Sequence, residues 1–388
     1  MNILDYLKWR GDLSFKVDPF NEIDNAILCS LSYVDFDSIL NATDRLSIKD
    51  LADLYLKNNE INDNLKSITM LQTGPVVLRM MSMTDRFKDC YVYNYVSILH
   101  EHTTEQFSAL MVDLPDNTTA IVFRGTDDSI IGWKEDFMLS YTDIVSQADA
   151  LEYVNKNCKI FNKYRLLGHS KGGNLAIYAA VHCSDSIRNR IIQVISNDGP
   201  GLRPDSYPKE NYEKLKDKYF LLVPEKDVVG VIYEMANNKK VVNCSSNSII
   251  NCHFLMSWNV DVNRFEKADS IKYETDLSRK VLLQILEQTK PEERKVFVDE
   301  LFEILEESNI TSLSQISSEG LSLLLKTIRT LSQMDEIAKK TASTIFNILT
   351  NNLSSDLFKA LKRKTSDLND NVDSLILEYK NKLNKRND

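Results

Sequence analysis

YRLLGHSKGGNLAIYAA, residues 164–180, is the stretch that decides how this chain is interpreted. A short apolar run enters the pattern GHSKG, and an Ala/Leu/Ile-rich run leaves it. This is a GxSxG pattern, in which a serine lies on a sharp strand-to-helix turn and the flanking glycines, Gly168 and Gly172, let strand and helix pass closely. The helix behind the serine directs N–H groups toward a developing oxyanion. Ser170 is therefore a candidate nucleophile, and the N–H of Lys171 is a candidate oxyanion donor.

The segments on both sides of this stretch alternate between strand and helix patterns. The strand-like runs before it are YNYVSIL, FSALMVDL and TTAIVFRG, with a turn at Asp116-Asn117. The runs after it are IIQVISN and YFLLVP, separated by helical patterns. Residues 1–90 are mostly helical in pattern. Strand, helix and strand in this order predict an α/β fold with a mainly parallel central sheet flanked by helices.

Helix-breaking residues become rare after residue 265. Ten of the eleven glycines and seven of the eight prolines precede it. Beyond it, apolar residues recur at i, i+3, i+4 and i+7, which is typical of amphipathic helices; these are Val298, Leu301, Phe302 and Leu305, and then Leu321, Leu324, Leu325 and Ile328. We predict an α/β domain over 1–265 and an α-helical C-terminal region over 266–388 with at least four helices. The apolar stripes of that region are a candidate docking surface for a protein partner.

Composition argues against several classes of partner and site. The net charge is -9 and Lys/Arg residues form no dense run, so we expect no nucleic-acid partner. No apolar run is long enough for a transmembrane helix, and the N-terminus does not resemble a secretory signal. His100 and His102 form a His-x-His pair that we interpret as a solvated strand end, and we predict neither a metal nor a cofactor. Six cysteines lie scattered without CxxC spacing, which predicts reduced thiols and a cytoplasmic protein; they are Cys29, Cys90, Cys158, Cys183, Cys244 and Cys252.

A nucleophilic serine requires a base, and the chain contains five histidines. His169 adjoins the serine within the turn, where its side chain is expected to point elsewhere. His182 lies about three turns down the following helix, too far to reach. His100 and His102 precede the serine, which is the wrong chain order for this architecture. His253 in IINCHFLMSW remains as the candidate base.

Two aspartates are candidates for the acid that orients the base. Asp227 follows the strand pattern YFLLVP, and Asp198 follows IIQVISN. The acid usually leaves a later strand than the one directly after the nucleophile helix, which favours Asp227. Asp198 lies in NDGPG, where a turn aspartate is the alternative. The second oxyanion donor is assigned to Thr126, which follows Gly125 at the end of the strand in IVFRGTDD; a plain strand-end turn is the alternative there.

These pieces together resemble the lipase-like α/β-hydrolases, particularly the fungal-type triacylglycerol lipases. The resemblance rests on VFRGTDDSIIGWKEDF, LLGHSKGG and LLVPEKDVV. A closer resemblance, over residues 5–265, is to a largely uncharacterised bacterial family of lipase-like serine hydrolases, through GDLSFKVDPFNEIDNAILCSLSYVDF, GHSKGGNLA, NDGPG and HFLMSW. It implies an α/β-hydrolase fold with Ser170 as nucleophile, Asp227 as acid, His253 as base and Thr126 near the oxyanion.

The expected activity is that of a serine hydrolase, which cleaves a small-molecule acyl ester or lipid through an acyl-enzyme. The alternatives are a catalytically silent binding or scaffold protein and an acyltransferase that uses the same triad. Apolar residues after the oxyanion strand line an acyl pocket or belong to the core; they are Ile130, Ile131, Trp133, Phe137 and Met138. The charged side chain of Lys171, expected at the mouth of an ester site, has no explanation in the sequence.

Overall fold

A computed structural model describes residues 1–41, 43–61, 69–127, 129–226, 229–230, 232–246, 248–307 and 335–352. Its centre is an eight-stranded sheet whose strands follow one another in chain order from edge to edge. The first three strands each run antiparallel to the next; they are β1 (Arg45–Ser47), β2 (Tyr91–His100) and β3 (Glu105–Asp113). The other five are mutually parallel; they are β4 (Thr118–Phe123), β5 (Lys163–His169), β6 (Ile191–Asn197), β7 (Tyr219–Pro224) and β8 (Asn238–Val242).

Helices lie before and after β1, connect the parallel strands and follow β8. The N-terminal helices are α1 (Ile3–Arg10), α2 (Glu22–Leu31), α3 (Ile48–Asn58) and α4 (Met70–Ser82). The connecting helices are α5 (Ile130–Met138), α6 (Val145–Asn157), α7 (Lys171–His182), α8 (Asp185–Arg188) and α9 (Lys209–Glu213). After β8 come α10 (Ile249–His253), a short hairpin of β9 (Val260–Asp261) and β10 (Arg264–Phe265), and then α11 (Tyr273–Gln288), α12 (Pro291–Glu307) and α13 (Glu336–Asn352).

The sheet is buried on both faces. Since side chains alternate along each strand, successive residues enter opposite cores. On β4, Ala120 and Val122 pack into the core formed with the N-terminal helices. Ile121 and Phe123 pack into the opposite core with α6 and α7. The predicted mainly parallel sheet flanked by helices is therefore confirmed. All β4 to β7 strands end at the same edge of the sheet, which is where α/β proteins place their sites.

Buried polar contacts attach the N-terminal helices to this edge. Arg86 Nε donates to Asp24 Oδ1 of α2 at 2.7 Å, and both side chains are fully buried. Asn25 Nδ2, also on α2, donates to Oδ1 of Asn197 at the end of β6, at 2.8 Å. The segment after α2, which contains Tyr33, is thereby held against the carboxyl ends of the central strands.

The C-terminal region contacts the α/β part at two places. Lys272 N donates to Glu225 O at 2.8 Å, and Lys267 bridges Val242 of β8, so contacts cross the predicted boundary at residue 265. Helix α12 packs on α5 through a cluster that contains Ile130, Val298, Phe302 and Leu305. The predicted stripe from Leu321 to Ile328 lies outside the described residues. The helices within the described ranges lack the length and apolar character that a membrane span requires.

Cys244 and Cys252 form a disulfide, so the prediction of six reduced thiols is wrong for this pair. The chain turns back between them and brings their Cα atoms to 5.7 Å, although they lie eight residues apart in sequence. Spacing alone does not reveal such a return of the chain. The cytoplasmic assignment was based partly on reduced thiols. This pair of cysteines does not support it, and it stays a prediction.

Candidate active site

Ser170 occupies a strained turn between β5 and α7. Its φ is 56° and its ψ is -130°, in a region that residues other than glycine rarely adopt. Ser170 N donates to Asn197 O at 2.9 Å, and Gly173 N donates to Ser170 O at 2.9 Å. The serine is 8 % exposed, at the carboxyl edge of the sheet. The strain is thus held in place by the end of the neighbouring strand and by the start of α7.

The turn requires glycine at both flanking positions. A Cβ added at Gly168 would lie 2.0 Å from Gly172 O, and one added at Gly172 would lie 2.2 Å from Phe123 O. Both clashes are with backbone atoms, which have little freedom to move. The two glycines predicted from the pattern therefore lie where strand β5, helix α7 and the end of β4 approach most closely.

His253, the last residue of α10, contacts a carboxylate at the end of β6. Its Nδ1 lies 2.8 Å from Asp198 Oδ2. Asp198 is fully buried, and its Oδ1 accepts a hydrogen bond from Gly230 N at 3.1 Å. Asp227, the aspartate favoured by the sequence, lies outside the described residues. Of the two candidate acids, Asp198 is the one whose contact with the histidine is described.

His253 lies directly against the turn that carries the serine. The ring centroids of His253 and His169 are 4.7 Å apart, and His169 Nε2 lies 2.8 Å from the His253 carbonyl oxygen. The structure therefore places His253 in contact with Asp198, the residue after β6, and against His169, the residue before Ser170. His182 lies at the far end of α7, where its Nδ1 contacts Tyr178 O.

Gly125, the residue before Thr126, lies beside the serine, because the chain after β4 passes close to the turn. A Cβ added at Gly125 would lie 3.1 Å from Ser170 Cβ and 2.4 Å from His169 O. Thr126 Oγ1 donates to Asp136 Oδ2 at 2.6 Å. Since this bond occupies the hydroxyl proton, the backbone N–H is the donor that Thr126 has left for an oxyanion.

Asp136 is a buried carboxylate on α5, next to the candidate oxyanion donor. Burial raises its pKa from 3.8 to about 6. The Lys171 ammonium and the hydrogen bond from Thr126 oppose this rise, and the Glu135 carboxylate adds to it. Within the part of the chain that the structure describes, Asp136 Oδ1 has no hydrogen-bond partner. Sequence reasoning noted this aspartate only as part of the resemblance, and its proximity to Thr126 comes from the turn into α5.

The side chain of Lys171 is fully buried and does not lie at the mouth of the site, which corrects that expectation. Its Nζ donates to Glu135 Oε2 at 2.6 Å, to Gln106 O at 2.8 Å and to Gln106 Oε1 at 2.9 Å. Glu135 Oε1 in turn accepts from Ser146 Oγ at 2.6 Å. The sequence does contain a signal for this ion pair. Lys171 lies at the start of an otherwise apolar helix, and a buried ammonium requires a buried carboxylate as its partner.

The apolar side chains of α5 contact the C-terminal helices. Ile130 is 5 % exposed and packs on Val298 and Phe302, and the rings of Phe137 and Phe302 lie 5.7 Å apart. Arg294 Nη2 donates to Ser140 O, just after α5, at 2.8 Å. Helix α5 therefore has two sets of contacts: its Glu135 pairs with Lys171, and its apolar side chains pack on α12.

No metal site is found among the described residues, because no three or more His, Cys, Asp or Glu side chains converge there. His100 Nδ1 lies 3.0 Å from Glu105 Oε2 at the start of β3, and His100 is largely exposed.

The mainly parallel sheet, with a strained serine after β5 and helices on both faces, defines an α/β-hydrolase fold. The chain belongs to the Mbeg1-like family, a lipase-like family whose model matches residues 81–303. Among solved structures, it is similar to the crystal structure of M37 lipase, with 18% identity, a TM-score of 0.33 and coverage of 53% of this chain and 68% of that chain. A comparison with curated proteins returned no match. The resemblance to a lipase-like family is confirmed, and the particular bacterial family stays a prediction.

Proposed function

We propose that this protein is a serine hydrolase that cleaves carboxylic esters through an acyl-enzyme. The observation that supports this most directly is the juxtaposition of a strained serine after β5 with a histidine bound to a carboxylate. Ser170 has a φ of 56°, and His253 Nδ1 lies 2.8 Å from Asp198 Oδ2. Strained residues persist where the surrounding structure holds them, and they are concentrated at active sites.

The contacts of His253 support the role of a general base for this residue. A carboxylate only accepts hydrogen bonds, so the proton on the imidazole lies on Nδ1 and Nε2 is free of hydrogen. Nε2 then removes the proton from Ser170 Oγ as that oxygen attacks the acyl carbonyl. The carboxylate of Asp198 stabilises the imidazolium that forms, and the imidazolium returns its proton to the leaving alcohol. Water, activated by the same histidine, hydrolyses the acyl-enzyme.

The oxyanion would be stabilised by two backbone N–H groups. One is that of Lys171 at the start of α7, where the helix dipole adds to its effect. The other is that of Thr126, whose side chain is oriented by Asp136 at 2.6 Å. Each such donor is worth about 3 kcal/mol in the transition state. We propose an acyl ester or lipid as the substrate, and none of these steps uses a cofactor.

The test is covalent labelling with a fluorophosphonate probe. Wild-type protein is expected to label at one site, and Ser170→Ala and His253→Ala are expected to abolish labelling. Ser30→Ala is the matched control, because Ser30 is a buried serine that lies on α2, where it donates to Ala26 O. Failure of the wild type to label, or equal labelling of Ser170→Ala, would contradict the proposal. A series of p-nitrophenyl esters from short to long chains then measures acyl preference.

A further inference from the structure

Tyr33 reaches the site from the N-terminal helical layer. It follows α2 and is 3 % exposed. Its Oη lies 2.8 Å from His169 Nδ1, and a Cβ added at Gly125 would lie 2.3 Å from the same oxygen. One side chain therefore contacts both the end of β4, which precedes Thr126, and the residue before the serine.

The contacts of His169 determine the direction of its hydrogen bonds. Its Nε2 lies 2.8 Å from the carbonyl oxygen of His253, and a carbonyl oxygen only accepts. Nε2 therefore carries the hydrogen and donates it. In the neutral ring Nδ1 then has a lone pair, which accepts the hydrogen of the Tyr33 hydroxyl. His169 is 1 % exposed, so water does not compete effectively for these bonds.

These contacts form one chain that runs from Gly125, packed on the Tyr33 hydroxyl, through Tyr33 and His169 to the backbone of His253. We propose that Tyr33 and His169 are positioning residues. They hold the segment of Gly125 and Thr126 after β4 and the base, His253, at a fixed separation around Ser170. This inference rests on the proposed function. Neither residue touches the reacting atoms in the mechanism above. His169 acts through the backbone of His253, and Tyr33 acts through His169 and through Gly125, which precedes Thr126.

Such a chain matters because the base comes from a short element. Helix α10 has five residues and follows the loop after β8. A displacement of about 1 Å in a catalytic group can lower a rate by about 100-fold. Loss of the Tyr33 hydroxyl would leave His169 Nδ1 buried without its donor, and unsatisfied buried groups drive local rearrangement.

Tyr33→Phe tests the chain, because it removes only the hydroxyl. We expect kcat to fall by about 10- to 100-fold while KM changes by less than about twofold. His169→Asn keeps an acceptor near the position of Nδ1 but loses the donor to the His253 carbonyl. His169→Gln keeps a donor near the position of Nε2. Each variant should lower kcat. Because the residues form one chain, the double variant Tyr33→Phe/His169→Asn should lose less than the product of the single losses.

Tyr6→Phe is the matched control. Tyr6 is another fully buried tyrosine of the N-terminal layer, and its hydroxyl contacts Asn21 and Asp24. It should keep the kcat of the wild type. Thermal unfolding of each variant separates loss of positioning from loss of fold. Equal kcat for Tyr33→Phe and wild type, in protein whose Ser170 labels with the probe, would overturn the inference.

A second measurement does not depend on activity. Ring nitrogen NMR of histidine-labelled protein should show His169 protonated at Nε2 and bare at Nδ1, and Tyr33→Phe should shift the ring signals of both His169 and His253. Unchanged His253 signals overturn the inference even if the wild type never labels. Shifted His253 signals in protein that does not label would support the chain and contradict only the proposed function.

Discussion

Lys171 Nζ and Glu135 Oε2 lie 2.6 Å apart, and both side chains are fully buried. Lys171, the residue after the candidate nucleophile, is thus paired with helix α5. Asp136, which follows Glu135 on that helix, orients Thr126. The N–H of Lys171 and the N–H of Thr126 are proposed to share one oxyanion. This ion pair therefore connects the two helices on which the proposed oxyanion donors depend.

Lys171→Met should destabilise the protein by about 3–5 kcal/mol, because it leaves the Glu135 carboxylate buried without its partner. Adding Glu135→Gln should recover part of this loss, since the uncompensated charge is removed. Chemical denaturation measures both free energies. Lys214→Met is the control, because Lys214 pairs with Asp185 on the surface and should cost less than about 1 kcal/mol. An equal cost for the two lysine variants would contradict the buried pair.

Asp198→Asn should lower kcat by about 10⁴-fold, as an amide presents the wrong group to His253 Nδ1. Asp227→Asn is the matched comparison, because it makes the same change at the aspartate that the sequence favours. Steady-state kinetics on one ester decides between them. Loss confined to Asp227→Asn would reject Asp198 as the acid and leave it a buried turn residue.

Asp136 should make stability depend on pH. Its pKa in the native state is raised to about 6 from 3.8. Between these values the native state holds a proton that the unfolded chain has lost, so the free energy of unfolding falls as pH rises from about 4 through about 6. Asp136→Asn should flatten this part of the curve, measured by denaturation at several pH values.

Asp149→Asn is the control for this pH effect. Burial, together with the nearby Glu105 carboxylate, raises the Asp149 pKa to about 7, so this variant should flatten the curve up to about pH 7. It lies on α6 and should leave ester hydrolysis unchanged, whereas Asp136→Asn alters the support of Thr126 and should change kcat. An unaltered slope in Asp136→Asn would contradict the buried carboxylate.

Phe302→Ala should weaken the packing of α12 on α5. Phe302 is 2 % exposed and packs on Ile130 and Phe137, so its truncation should cost about 3–5 kcal/mol and lower kcat as α5 shifts. Glu303→Ala, an exposed neighbour on the same helix, should change neither quantity. A fully active fragment ending at residue 272 would show that α12 is dispensable for the site.

The disulfide should add stability next to the proposed base. Denatured, unreduced protein should show four free thiols by titration, because Cys244 and Cys252 are paired. The double change Cys244→Ser/Cys252→Ser should destabilise the chain by about 2.5 kcal/mol, the loop entropy expected for so short a ring. Six free thiols in the unreduced protein would contradict the pairing.

Local patterns in the chain were sufficient for the central part of the layered fold. Apolar runs predicted β2 to β7 and helical periods predicted helices between them, because both periods are properties of consecutive residues. The short edge strands β1 and β8 were not predicted. The turn around Ser170 is local in the same sense. Its glycines lie four residues apart, and their need for close approach can be argued from the pattern alone.

Partners that meet across the fold were decided by the tertiary structure. Lys171 and Glu135 are 36 residues apart, Tyr33 and His169 are 136 apart, and no local pattern relates either pair. Asp198 and Asp227 both follow strands, so only the path of the loops places a carboxylate at His253 Nδ1. The sequence alone determined the central strands β2 to β7, the helices between them and the strained turn, since these depend on neighbouring residues. Which side chains converge on that turn was decided by how the loops return to it, since contact energies between distant residues depend on the packed arrangement of the whole domain.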